Sequence, residues 1–188
     1  MRIDYKNIYL HSFQEENLER CSQSRMTNSF FFLSEVENIK QSCTWITNHI
    51  NNVHDTLLEI HLKENDAYIG AIGYKIESGR CEVGRFTLDI PFLRKIISSY
   101  QLSNQFRPTK EACIAMISYL YDKLLDQEEI FARVLAFNNY SNSLCSFFAD
   151  ICDMKTISLN NQIINEYIIN REKFLEKYNE EKMFVLYS

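Results

Sequence analysis

The sequence predicts an α/β domain: a mixed, mostly antiparallel central sheet with helices on both faces. Three observations predict it. Three β-rich runs follow one another between residues 57 and 90, joined by turn residues. Runs with helical periodicity stand before and after them. The stretch Glu129 to Phe137 is almost unbroken apolar sequence, the mark of a strand buried on both faces. At 188 residues the chain suits one domain, residues 1–188, with a full core.

Taken in order, Ile3 to Phe13 reads as an opening strand with Ile8 and Leu10 on one face. Gln14-Glu15-Glu16 then supplies acidic residues for the first turn of a helix reaching about Met26. Ser34-Glu35-Val36-Glu37 has the form of a capping box, with Ser34 as N-cap. It predicts a helix to about Asn51 that carries Ile39, Trp45, Ile46 and Ile50. Leu57 to Leu62, Tyr68 to Ile76 and Cys81 to Ile90 follow as an antiparallel meander. Asn65-Asp66 and Glu77-Ser78-Gly79-Arg80 make its turns. Pro91 starts a short helix through Ile97, and Ser103-Asn104-Gln105 reads as loop.

A helix opening at Pro108-Thr109-Lys110 repeats Ala112, Ala115, Met116, Tyr119 and Leu120 at helical spacing. After the Glu129 to Phe137 strand, Asn138 to Asp150 is loop then helix. Lys155 to Leu159 and Ile163 to Ile169 form a hairpin around Asn160-Asn161. A charged helix, Arg171 to Tyr178, precedes a short last strand, Met183 to Tyr187.

Composition excludes several functions. A net charge of −5 gives no nucleic-acid footprint. The six cysteines include no C-x-x-C pair and no zinc spacing, so reduced, mostly buried thiols and no metal are expected. The N-terminus lacks the apolar stretch of a signal peptide, and no run approaches the roughly 18 apolar residues of a membrane span. A cytoplasmic protein is expected, without membrane or nucleic-acid partners.

Four stretches carry a family resemblance. Ile8 to Leu18 is a strand followed by an acidic helix start. Ala67-Tyr68-Ile69-Gly70-Ala71-Ile72-Gly73-Tyr74 repeats Ile-Gly within a strand, which signals close backbone approach or a bulge. Cys81-Glu82-Val83-Gly84-Arg85-Phe86-Thr87-Leu88 is the next strand. Val134 to Leu144 fits a strand followed by N-x-x-S-x-x-L. Together they resemble the GNAT superfamily of acyl-CoA N-acyltransferases, in the branch of ribosomal-protein N-terminal and amino-sugar acetyltransferases.

That resemblance implies a sheet splayed between the fourth strand, Cys81 to Ile90, and the fifth, Glu129 to Phe137. It implies acetyl-CoA as co-substrate and a primary amine as acceptor: a protein N-terminus, an amino sugar or a small amine. Phe86, Thr87 and Leu88 would meet the pantetheine arm through their backbone. Glu82 would act as general base. Asn138 and Ser141 would face the cofactor. A homodimer is one expected assembly.

Two departures stand out. The family's pyrophosphate loop carries glycines, but Asn104-Gln105-Phe106-Arg107-Pro108-Thr109 has none. Backbone N–H groups reach phosphate best without side chains in the way, so Arg107 and Lys110 would compensate by charge, with Thr109 beside them. The family's tyrosine proton donor is replaced by Cys145, with Tyr140 or water as alternatives. The plainer readings are a solvated strand residue for Glu82, helix capping for Asn138 and Ser141, and core packing for Cys145. The missing glycines also motivate a second function: a degenerate fold of this kind that binds a protein or metabolite without catalysis.

Overall fold

The opening apolar run is a hairpin, not one strand. β1 (Arg2–Tyr5) turns back through Lys6 and Asn7 into β2 (Ile8–Ser12). Lys6 takes φ 41, a left-handed conformation that no glycine announces. The turn is held from outside. Asn7 donates its backbone N–H and its Nδ2 to the Glu111 carboxylate, each at 3.0 Å. The structure, a computed structural model, describes residues 1–27, 38–50, 52–99, 107–123, 129–178 and 184–186.

After a short 3₁₀ turn, Glu15–Asn17, comes α1 (Leu18–Thr27). α2 (Ile39–His49) begins at Asn38, whose side chain accepts from the Gln41 N–H at 2.9 Å. The capping box at Ser34 to Glu37 lies outside the described residues. The meander is β3 (Asp55–Leu62), β4 (Tyr68–Glu77) and β5 (Arg80–Leu88). α3 (Ile90–Ser99) and α4 (Pro108–Lys123) lead to β6 (Glu129–Leu135) and α5 (Asn139–Ser146). β6 stops two residues short of Phe137, which is half exposed in the turn into α5. The hairpin β7 (Cys152–Leu159) and β8 (Gln162–Ile169), then α6 (Arg171–Tyr178) and β9 (Phe184–Leu186), complete the described chain.

The strands form one sheet in the order β7-β8-β6-β5-β4-β3-β2-β1-β9. Every pairing is antiparallel except β5 with β6. Alternation along the strands sends side chains to two faces. Ile3, Leu10, Leu58, Ile60, Ile72 and Val83 share a core with α4 and with Phe174 and Tyr178 of α6. On the other face, Phe13, Leu57, Tyr68 and Ala71 meet Cys21 of α1 and Ile46 of α2. The mixed sheet with helices on both faces is as the sequence predicts.

The two glycines of β4 are explained by contact. A Cβ at Gly70 would fall 2.4 Å from the Thr87 carbonyl oxygen, and one at Gly73 would fall 2.5 Å from that of Thr56. Backbone cannot yield there, so the strand needs glycine at both places. Among the described residues no helix is long and apolar enough to cross a membrane.

Candidate functional site

β5 and β6 run parallel but pair only briefly. Arg80 faces Glu129, Cys81 faces Ile130 and Glu82 faces Phe131; there the register ends. These two strands correspond to the fourth and fifth expected from sequence, renumbered because the first is a hairpin. Beyond Glu82, β5 follows β4 alone, so among the described residues its other backbone edge has no strand partner.

The parting coincides with a β-bulge. Gly84 pairs with Gly73 and Thr87 with Ala71, leaving Arg85 and Phe86 opposite Ile72. Arg85 takes φ 56. The extra residue reverses the alternation. Val83 faces the α4 core before it, and Phe86 and Leu88 pack on that core after it. Thr87 therefore turns toward α1. It is 1% exposed, and its Oγ1 has no hydrogen-bond partner among the described residues.

The Arg85 side chain ties the bulge to the α2 wall. Its guanidinium pairs with Asp55, and His49 Nε2 lies 3.4 Å from the same carboxylate. Trp45 stacks on His49 at 4.0 Å between ring centroids, and the Arg25 guanidinium lies 3.7 Å from the Trp45 centroid. Burial pulls the Arg25 guanidinium down to about 10, opposed by Cys21 and reinforced by Arg85.

On that same face, just before the strands part, Glu82 lines a cavity of 190 Å³ with Lys75, Arg80, Phe131 and Arg133. Burial pushes the Glu82 carboxyl up, against the pull of Arg133, Arg85 and Lys75. Behind the cavity lies Glu166 of β8, 1% exposed. It receives Arg133 Nε at 2.9 Å, Arg80 Nη2 at 3.0 Å and Lys155 Nζ at 2.9 Å. Burial alone would raise its pKa, but these three cations outweigh it and hold the carboxyl at about 2. Arg80 also reaches Glu129, and Arg133 Nη1 lies 3.6 Å from Glu82 Oε2. Both guanidiniums lie within 5 Å of the Phe131 ring, at 4.0 and 4.8 Å.

The other sequence-predicted residues fall in two places. Asn138, 5% exposed, is the N-cap of α5: its Oδ1 accepts from the Ser141 N–H at 3.1 Å, and its Nδ2 donates to Ser141 Oγ at 3.0 Å. Its amide is thus engaged in the cap, while the Ser141 hydroxyl keeps its own proton to donate. Asn142, which sequence reasoning did not single out, donates to three carbonyls and accepts from Asn165 and Tyr167, fastening α5 to β6 and β8.

Tyr140 is 78% exposed on the first turn of α5. Cys145 is half-buried, and burial, then Cys152, pushes its thiol up to about 12. Such a thiol is a poor donor to a leaving thiolate of ordinary acidity, about 8.5. Arg107, Thr109 and Lys110 stand at the N-terminus of α4, Arg107 exposed and its carbonyl accepting from the Glu111 N–H at 2.9 Å. The glycine-free residues Asn104, Gln105 and Phe106 lie outside the described residues.

One buried pair escaped the sequence reading. Glu59, fully buried, accepts from the Gln14 N–H at 2.8 Å and from Asn17 Nδ2 at 3.0 Å, fixing the start of α1. Its other oxygen lies 2.6 Å from His61 Nε2. The one available signal was Glu-x-His spacing, which puts both side chains on one face of a strand.

No protein-family model matches the chain. No curated protein sequence matches it either. Solved structures do. Apo FdhC, described as a nucleotide-linked sugar GNAT, aligns over 96% of each chain at 16% identity with a TM-score of 0.68. RimL, a ribosomal L7/L12 alpha-N-protein acetyltransferase in complex with coenzyme A, aligns over 89% of this chain and 97% of its own, at 13% identity and a TM-score of 0.63. An acetyltransferase from Agrobacterium tumefaciens aligns over 91% and 95%, at 14% identity and a TM-score of 0.68. The chain has the GNAT fold, and the resemblance read from its sequence agrees with these structures.

Proposed function

We propose that the chain is an acyl-CoA-dependent N-acetyltransferase, moving an acetyl group from acetyl-CoA to a primary amine by direct attack in a ternary complex. The observation that carries this reading is the parting of β5 and β6 straight after Glu82, close to a bulge, with the β5 edge beyond it unpaired by any described strand.

The residues present suit such a co-substrate. A pantetheine arm carries amides, and an unpaired strand edge offers them donors and acceptors at strand spacing. The N-terminus of α4 offers a helix dipole with Arg107 and Lys110 beside it, which suits a pyrophosphate. Bound there, acetyl-CoA supplies an activated thioester.

The chain's own residues do the rest. Glu82 takes a proton from the incoming ammonium, directly or through a water. The neutral nitrogen attacks the carbonyl carbon. Backbone N–H groups of the β5 edge near Phe86 to Leu88 stabilise the oxyanion. The C–S bond breaks, CoA leaves as thiolate, and the surplus proton on nitrogen passes to solvent or to the thiolate. Holding donor and acceptor together provides most of the acceleration. Cys145 is not needed in this scheme: the surplus proton reaches the thiolate directly or through water. Amino sugars, protein N-termini and small amines are the acceptors to test; one structural relative is described as a nucleotide-linked sugar GNAT and another as an alpha-N-protein acetyltransferase.

The test is binding, then turnover. Acetyl-CoA at about 100 times a micromolar Kd stabilises by about 2.7 kcal/mol, a rise of several degrees in Tm. Thiol release across an amine panel reports catalysis. A shift with no release on any amine favours a non-catalytic binder; neither shift nor release removes the acyl-CoA reading altogether.

A further inference from the structure

The carboxylate that would accept the proton sits beside a guanidinium that ought to silence it. Arg133 Nη1 is 3.6 Å from Glu82 Oε2, outside hydrogen-bond range but close enough for a small rotation to close the pair. What prevents closure is on the next strand. Arg133 Nε donates to Glu166 Oε2 at 2.9 Å, and Glu166 is fixed in turn by Arg80 and Lys155. Register brings these groups together: Arg133 lies directly opposite Glu166, which lies opposite Lys155.

Resting on the proposed acetyl transfer, we propose that Glu166 is a positioning residue: it holds Arg133 off Glu82 and so leaves Glu82 able to take the acceptor's proton. The other charges around Glu82 do not substitute for it. Lys75 of β4 is engaged by Glu77 at 2.7 Å, Arg85 of β5 by Asp55, and Arg80 by Glu129 and Glu166. Among the described residues Arg133 is engaged by one carboxylate besides Glu82, that of Glu166, with the Phe131 ring beside it. Burial raises the proton affinity of Glu82, and Arg133 at 3.6 Å opposes this without overcoming it.

Glu166→Gln both removes an anion near Glu82 and releases Arg133 toward it. Arg133→Gln removes the cation. Opposite displacements follow from charge alone; positioning adds that Glu166→Gln displaces Glu82 far less in an Arg133→Gln background than in the wild type. Expected in kcat/KM against pH is an acid limb displaced by about one pH unit downward in Glu166→Gln and upward in Arg133→Gln. Arg133→Lys, which keeps the charge, returns the limb toward wild type.

Carbon-13 NMR titration of the Glu82 carboxyl, assigned by its loss in Glu82→Gln, reads the same displacement without turnover. Should Glu166→Gln fold poorly, Glu166→Asp keeps the anion but withdraws it from Arg133, and should still displace the Glu82 titration downward. Equal displacements by Glu166→Gln with and without Arg133, or none, overturn the role of Glu166. Full activity in Glu82→Gln instead overturns Glu82 as base, and the NMR titration still decides whether Glu166 governs Arg133.

Discussion

Glu82 on β5 and Phe131 on β6 are the last residues the two parallel strands pair. One step further the edges separate, so the carboxylate stands at the closed end of an opening wedge. Glu82→Gln should lower kcat by about 10²–10⁴-fold, the usual worth of a positioned base. Affinity for acetyl-CoA should stay the same. Because burial raises the Glu82 pKa above the ordinary carboxylate value, wild-type activity should fall as pH drops through that raised value. The variant should lose this limb.

The α4 N-terminus makes a separate prediction. Arg107→Ala and Lys110→Ala should each weaken acetyl-CoA binding by about tenfold, the loss of one charge-assisted contact. Calorimetry at low and high salt checks it. The effect should shrink as salt rises.

Gly73→Ala puts a Cβ 2.5 Å from the Thr56 carbonyl oxygen. It should cost about 1–3 kcal/mol, as overpacking does. Gly84 has nothing within 4 Å of its notional Cβ, so Gly84→Ala should be near neutral. Urea midpoints of the two variants compare them directly.

His61 sets a pH dependence of stability. Its Nε2 faces Glu59 at 2.6 Å and its Nδ1 faces the Asp66 carbonyl at 3.0 Å, so both nitrogens meet acceptors and the imidazolium fits best. Burial lowers its pKa, but Glu59 and Asp66 outweigh it and the net change is upward. The folded value exceeds the unfolded one, so the stabilisation is full below about pH 6.5 and fades as pH rises through the folded value. The stability gap between wild type and His61→Gln should therefore be wider at about pH 6 than at about pH 9.

Much of this was legible residue by residue. The Ile-Gly repeat announced close backbone approach, and Gly70 and Gly73 meet carbonyl oxygens. Asn138 had the chemistry of a cap and is one. The β3–β5 meander followed from β-rich runs joined by turn residues, and the strand beginning at Glu129 from an almost unbroken apolar run. What stayed hidden depends on backbone conformations without a glycine signal, or on register between distant strands. Lys6 and Arg85 take left-handed backbone as ordinary side chains. Glu166 meets Arg80 from 86 positions away, a pairing only the sheet order creates. Arg133 and Lys155 join it because two antiparallel registers coincide at one residue.

The bulge at Arg85 acts as a change of parity. Up to Gly84 the odd-numbered residues of β5 point into the α4 core; past Arg85 the even-numbered ones do. Deleting one residue there would leave the first half of the strand in place and turn the second half inside out. Thr87 would enter the large core, and Phe86 and Leu88 would be thrust toward α1. A single position thus decides which side of the sheet each residue at the end of β5 belongs to, so this strand should tolerate substitution far better than any change in its length.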